Sequence, residues 1–359
     1  MSLVRIFMML SLLSIHSAAM ALSIKNVSHS HSSFNPNNER VAISFELDEP
    51  AQINLSIYDA REILIRKFGE DKFFAVGQHS ITWDGRDHLD RIVPAEAYHY
   101  TIVAKNRGGG TVEHDLTDIT IGKAKHLKDI SWDSNKGIVE FELKAPSRIR
   151  LRAGMKNNGP MFNTLLNWEV MDSGDHQIRW DGMDRSGVIK LGLHKELLLS
   201  ARAFTLSSNT IIVKDVNNNG FIKNISWEGD KRAPKKKIKR RMFDQHLLDI
   251  TELGDFDISL KLVGRSDSKS KTISLSDKVA LKLDISDKER QRVISQRFEL
   301  VFYLDGQFLG ESESGVLPTT WNWDPKGINP GIHYITANVR GYEGNFGTAT
   351  LKFNYQPGL

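Results

Sequence analysis

The chain has 359 residues, 40% of them apolar and 26% charged, a composition that suits folded domains and argues against disorder of the whole chain. Its formal net charge of +4 comes from 48 basic and 44 acidic residues, and this near balance points to no nucleic-acid partner. There is no cysteine, which excludes disulfides, thiol catalysis, Cys-linked haem and a lipid-modified cysteine.

Residues 1–21 read as a secretory signal peptide. Arg5 supplies a basic start, Ile6 to Ile15 is an apolar run broken only by serines, and Ala19-Met20-Ala21 offers small residues for cleavage. The run is too short to span a bilayer comfortably, and no later segment is long and apolar enough to do so. An exported protein is therefore expected, periplasmic or extracellular.

Beyond the leader, short alternating runs dominate. Val41, Ile43, Phe45 and Leu47 share one face, and Ile53, Leu55 and Ile57 repeat the pattern. Such period-two runs, punctuated by Pro, Gly, Asp and Asn, predict half-buried antiparallel strands. The pattern then recurs. Phe45-Glu46-Leu47 with Pro50 returns 96 residues later as Phe141-Glu142-Leu143 with Pro146. Trp83-Asp84-Gly85 with Asp87 returns 97 residues later as Trp180-Asp181-Gly182 with Asp184. Asp129-Ile130-Ser131-Trp132 is echoed by Asn224-Ile225-Ser226-Trp227, each read as the first strand of a new domain after a closing strand, Asp118 to Ile121 and Thr210 to Val213. Two motifs repeating at nearly one spacing predict duplicated domains.

The fold expected is all-β: three tandem immunoglobulin-like β-sandwich domains behind the leader. The boundaries read as 22–125, 126–228, a basic linker over 229–255, and 256–359. In the third domain strands are expected around Phe256 to Leu262, Val279 to Ile285 and Phe298 to Leu304, with a hairpin turn at Asp305-Gly306.

Several motifs along residues 34–105 resemble the immunoglobulin-like domain of the flagellar hook-capping protein. They are Phe34-Asn35-Pro36-Asn37, Glu49-Pro50-Ala51, Tyr58-Asp59-Ala60, Trp83-Asp84-Gly85-Arg86-Asp87, and Val93-Pro94-Ala95 with Tyr98. The family usually has glycine where Asp90 and Glu96 stand, so those turns must differ or be strained. The second domain keeps Trp180-Asp181-Gly182, Asp184 and Gly187 but has Leu191-Gly192-Leu193 in place of the proline and tyrosine. The third keeps an echo, Trp321-Asn322-Trp323-Asp324 and Pro330-Gly331. The hook cap itself leaves the cell without a cleaved leader, so the resemblance does not place this chain in the flagellum.

Candidates for chemistry are few. Trp83 and Trp180 read as core rings, with the following Asp84-Gly85 and Asp181-Gly182 forming tight turns; display for sugar stacking is the alternative. Asp215, Asn217 and Asn219, followed by Gly220, match the first half of a calcium loop, but position twelve is Ser226, so a polar turn is the simpler reading and Ca2+ the alternative cofactor. His29 and His31 would share a side of an extended segment, as a solvated pair or a transition-metal pair. The basic run includes Lys235, Lys236, Lys237, Lys239, Arg240 and Arg241, either a solvated linker or a docking segment for an anionic envelope polymer. Gly108-Gly109-Gly110 reads as a hairpin tip. No serine-nucleophile elbow, zinc-protease helix, phosphate loop or dinucleotide fingerprint is present. These observations predict a non-enzymatic envelope or surface scaffold, or an adhesion-type subunit, that engages a protein partner. A carbohydrate-binding accessory role is the alternative, with Trp168, Trp321 and Trp323 as its aromatic candidates.

Overall fold

The computed structural model describes residues 22–70, 72–116, 124–214, 234, 255–264, 273–287, 289–290, 297–313, 315–342 and 344–357. Apart from one short 3-10 turn at Leu191–Leu193, its named elements are all strands. The calcium-like loop at Asp215, the basic run from Lys235 to Arg241, the echo at Asn224 to Trp227 and the run Asp118 to Ile121 lie outside the described residues. No helix among the described residues is long and apolar enough to cross a membrane.

The first nine strands are β1 (Ile24–His29), β2 (Ser33–Phe34), β3 (Val41–Leu47), β4 (Ala51–Tyr58), β5 (Leu64–Phe68), β6 (Phe73–Phe74), β7 (Gly77–Trp83), β8 (Ala97–Asn106) and β9 (Thr111–His114). The next eight are β10 (Ala124–His126), β11 (Ile130–Asp133), β12 (Ile138–Leu143), β13 (Ser147–Met155), β14 (Met161–Met171), β15 (Gly174–Arg179), β16 (Leu197–Thr205) and β17 (Thr210–Val213). The last eight are β18 (Ile258–Leu262), β19 (Ile273–Leu275), β20 (Val279–Ile285), β21 (Phe298–Leu304), β22 (Gln307–Ser312), β23 (Thr319–Trp323), β24 (Gly331–Gly341) and β25 (Phe346–Tyr355).

Alternation decides which face each strand buries. In β3, Val41, Ile43, Phe45 and Leu47 are buried while the residues between them are half-exposed. The same alternation in β4 sends Ile53, Leu55 and Ile57 inward to face them. Three cores result, one between each pair of sheets. The first lies between β1-β3-β7 and a larger sheet in the order β2-β17-β8-β4-β5. The second lies between β11-β12-β15 and β10-β16-β13-β14, and the third between β18-β20-β23 and β19-β25-β24-β21-β22. The chain is an all-β series of sandwiches. At Asp305 (φ 51°) and Gly306 (φ 83°) the β21–β22 hairpin takes two consecutive left-handed residues, as its two-residue turn requires.

One pairing departs from the sequence reading. Thr210–Val213 was expected to close the second sandwich; it closes the first. β17 runs antiparallel to β8 (Ile211 opposite Tyr98) and parallel to β2 (Val213 opposite Phe34). Ile211 and Val213 belong to the first core. The position beside β16 that a closing strand of the second sandwich would fill is taken by β10, which precedes that sandwich in the chain. In the third sandwich the equivalent strand, β25, simply follows β24 as a hairpin. β9 keeps the other half of the β8 edge as a local hairpin, so the exchange is between β17, beside Ala97–His99, and β10, beside Arg202–Phe204. The physical reason is side-chain character: all four residues of β17 are buried, so it needs a slot covered on both faces, whereas β10 is largely exposed and suits an open edge.

Candidate functional site

The duplicated Trp-Asp-Gly corners are nearly superimposable in their bonding. Trp83 is fully buried and its indole N–H donates to the Arg86 carbonyl at 3.0 Å; Trp180 donates to the Met183 carbonyl at 2.9 Å. Asp84 accepts the Arg86 N–H at 3.1 Å and Asp181 accepts the Met183 N–H at 2.9 Å. Gly85 (φ 74°) and Gly182 (φ 75°) supply the left-handed residue between them. A Cβ on Gly85 would also meet the Pro36 Cβ at 2.7 Å. The next acid orders the loop: Asp87 accepts the N–H groups of Leu89 and Arg91, and Asp184 those of Val188 and Ile189. Burial pulls the Asp87 carboxyl upward, but the Arg91 guanidinium at 2.6 Å and the loop amides hold it below the ordinary range.

The corners differ where the second repeat lacks the proline and tyrosine. In the first, Tyr98 donates to the Pro94 carbonyl at 2.9 Å and Phe34 packs edge-on against Trp83. In the second, Trp132 lies 4.8 Å from Trp180 and donates to the Gly192 carbonyl at 2.9 Å. The two family glycine positions also part company. Asp90 takes the left-handed conformation (φ 65°) that glycine would have supplied. Glu96 makes an ion pair instead.

The other candidates are scattered. His29 contacts the Tyr100 hydroxyl at 3.3 Å and burial lowers its pKa, whereas His31 contacts Ser30 at 3.0 Å; the two rings are not brought onto a common ligand. Gly109 (φ 84°) forms the tip of the β8–β9 hairpin. The three tryptophans considered for sugar stacking are packed. Trp168 is 9% exposed with the Arg150 guanidinium 5.0 Å over its ring, Trp321 stacks on Phe302 at 4.4 Å, and Trp323 is 7% exposed against Phe353. β23 does point Trp321 and Trp323 the same way, as a strand must, but that way is the core.

The sheet β11-β12-β15 carries an open groove of about 540 Å³ lined by Asp129, Glu140, Glu142, Asp175, His176 and Gln177 among others. Two of its acids are engaged locally: Gln177 donates to Glu140 at 2.8 Å, and Lys144 pairs with Glu142 at 2.5 Å.

The joints between sandwiches hold polar and charged contacts that sequence reasoning missed. At the first joint Arg148 of β13, with its side chain 5% exposed, reaches Glu96 of the first sandwich at 2.6 Å and 3.3 Å. Ser32 and Ser33 both donate to Asp172 just after β14. Asp172 is pulled upward by burial but held below its ordinary pKa by those hydroxyls, the Ser173 N–H and Lys214. At the second joint Arg152 pairs with Asp255 at 2.8 Å, with both side chains nearly buried, and lies 4.7 Å over the Phe346 ring. Asn338 of β24, fully buried, receives the Met161 N–H at 3.0 Å and donates to the Met161 carbonyl at 2.9 Å. Its amide stands in for a neighbouring strand at the edge of β14. Arg185 pairs with Asp257, and the Thr350 N–H donates to Ser186. Nothing in the local sequence marks these residues, because each partner lies tens of residues or more away.

No protein-family model matches the chain, and no curated protein matches it. Among solved structures it overlaps the fibronectin(III)-like modules of Clostridium thermocellum CbhA at 10% identity, over 93% of this chain and 94% of that one, with a TM-score of 0.19. It overlaps a tetra-tandem repeat from the extending region of a large adhesion protein at 13% identity, over 94% and 74%, with a TM-score of 0.20. A structure from a 1.5-MDa bacterial ice-binding adhesin overlaps at 10% identity, over 94% and 99%, with a TM-score of 0.19. Scores of this size speak neither for a shared arrangement nor for a shared function.

Proposed function

We propose that the protein is a non-enzymatic scaffold or adhesion-type subunit of the cell envelope, exported by its N-terminal leader, that holds a protein partner through loops and strand edges of its sandwiches. The observation that carries this reading is the construction of the joints. Hydrogen bonds and nearly buried ion pairs tie each sandwich to the next, so surfaces on all three are presented in fixed relation. A series of sandwiches joined in this way is suited to presenting a composite surface. The titratable groups of the Trp-Asp-Gly corners are committed to loop structure, which fits a supporting role. The duplicated corners also support descent of the first two sandwiches from a hook-capping-type module.

Within the third sandwich, β22 is an edge strand, paired only with β21 among the described strands, and it displays Phe308, which is 61% exposed. Edge strands of this kind accept an added strand from a partner. A photo-reactive amino acid placed at Phe308, and separately at Lys236 in the basic run, tests both attachment routes in intact cells. One recurrent envelope protein captured from Phe308 supports the scaffold reading. Capture of abundant proteins alone from both positions removes it. Glycan arrays would then decide the carbohydrate alternative.

A further inference from the structure

The outer face of the sheet β10-β16-β13-β14 carries a row of cationic and polar side chains, one from each strand. Arg150 of β13 stands opposite Asn167 of β14 on one side and Arg202 of β16 on the other, and Arg202 stands opposite His126 of β10. Alternation puts Arg148 and Arg152 on the same face, because Ile149 and Leu151 between them point into the core. The flanking two are matched by acids from the neighbouring sandwiches, Arg148 by Glu96 and Arg152 by Asp255. The middle two are not: among the described residues no carboxylate pairs with Arg150 or Arg202. Arg150 donates to the Gly344 carbonyl at 3.2 Å, and the Nε of Arg202 is buried with no hydrogen-bond partner among the described residues.

We propose that Arg150 and Arg202 form a binding site for a dianionic phosphate group, free or at a terminal ester, with Asn167 and His126 at the ends of the row. Two like charges directly opposite on adjacent strands repel, and both are half-buried, where an unmatched charge is costly. Burial draws the Arg150 guanidinium down to about 9; the Arg152 and Arg202 charges act in the same direction and Asp255 against it. Against the guanidiniums of Arg150, Arg152 and Arg202 the described residues set one carboxylate, Asp255. The charge left over is two, which a phosphate dianion balances. Neighbouring strands lie about 5 Å apart, so two guanidinium forks can close on one tetrahedral group. The side-chain oxygen of Asn167 is also buried without a partner among the described residues, and its amide can turn an N–H to the anion. His126 is exposed, so the row is open to solvent at that end. The site is separate from the Phe308 edge and from the basic run, and it stands or falls independently of the scaffold reading.

Calorimetric titration of the full chain tests this at about pH 7.5, where phosphate is largely dianionic, with ionic strength held constant by chloride. Inorganic phosphate and glycerol 3-phosphate are the probes. Saturable binding of either, one per chain, supports the site, and the tighter of the two names the source. A glycerophosphodiester carries a single charge and should bind about tenfold more weakly or less. R202M and R150M should each weaken binding by about tenfold or more. R202M removes an unmatched charge and keeps the apolar stem, so in phosphate-free buffer it should melt at or above the parent while losing the rise in midpoint that phosphate gives the parent. A chain with serine at positions 235, 236 and 237 should bind phosphate as the parent does. No saturable binding of either probe, binding that survives R202M and R150M together, binding lost with the three serines, or equal affinity for the diester overturns the proposal.

Discussion

The two joints of this chain are built from different materials. The first is made in part of backbone: β17 and β10 cross between sandwiches and complete each other's sheets. The second is made of side chains, chiefly Arg152 with Asp255 and Asn338 with the Met161 backbone. A joint made by exchanging strands couples two cores, because neither sheet is complete without a segment anchored in the other. A joint made by side chains couples two finished cores and can be opened without unfolding either.

The largest effect should come from breaking the exchange. Ile211→Asp places a carboxylate in the first core and should cost about 4 kcal/mol or more. Thermal unfolding monitored by hydrogen exchange should show β8 and β16 losing protection together while β24 keeps its own. Loss of protection in β8 alone would show that the exchange does not couple the cores. Next come the corners. Trp83→Ala should cost about 3–5 kcal/mol, and Trp180→Ala somewhat less, since Trp83 is 0% exposed and Trp180 6%. Denaturant midpoints of the two variants measure the difference.

The second joint should yield to smaller changes. Arg152→Ala leaves a nearly buried carboxylate facing a lost cation and should weaken docking of the third sandwich by about 3 kcal/mol. Asn338→Ala strips the Met161 amide and carbonyl of their partner, at about 1–3 kcal/mol. In both, protease access to the joint should rise while the midpoint of the first two sandwiches stays put. The smallest effect on stability belongs to the basic run. Replacing Lys235, Lys236 and Lys237 by serine should leave the melting curve unchanged, but weaken and flatten the salt dependence of any binding to an anionic polymer.

Much of the architecture was legible in the sequence, because local patterns carry it. The alternation in β3 and β4 needs only a period of two, and the Trp83 and Trp180 corners close within four residues, so both can be read without knowing any distant contact. The burial of Trp321 and Trp323 was half legible: their shared direction follows from the strand, but whether it faces core or solvent depends on a sheet elsewhere in the chain.

What the sequence by itself determined is thus the all-β class, the repeat and the turns, each set by neighbours within a few positions. What only the tertiary structure decided is which sandwich owns each closing strand and which charges meet at the joints. Thr210–Val213 follows the second sandwich in the chain yet completes the first, because a strand buried on both faces goes to the slot that covers both, whatever its place in sequence. Arg148 and Glu96, like Arg152 and Asp255, meet only once the sandwiches have packed, and an ion pair between distant segments leaves no periodicity to read.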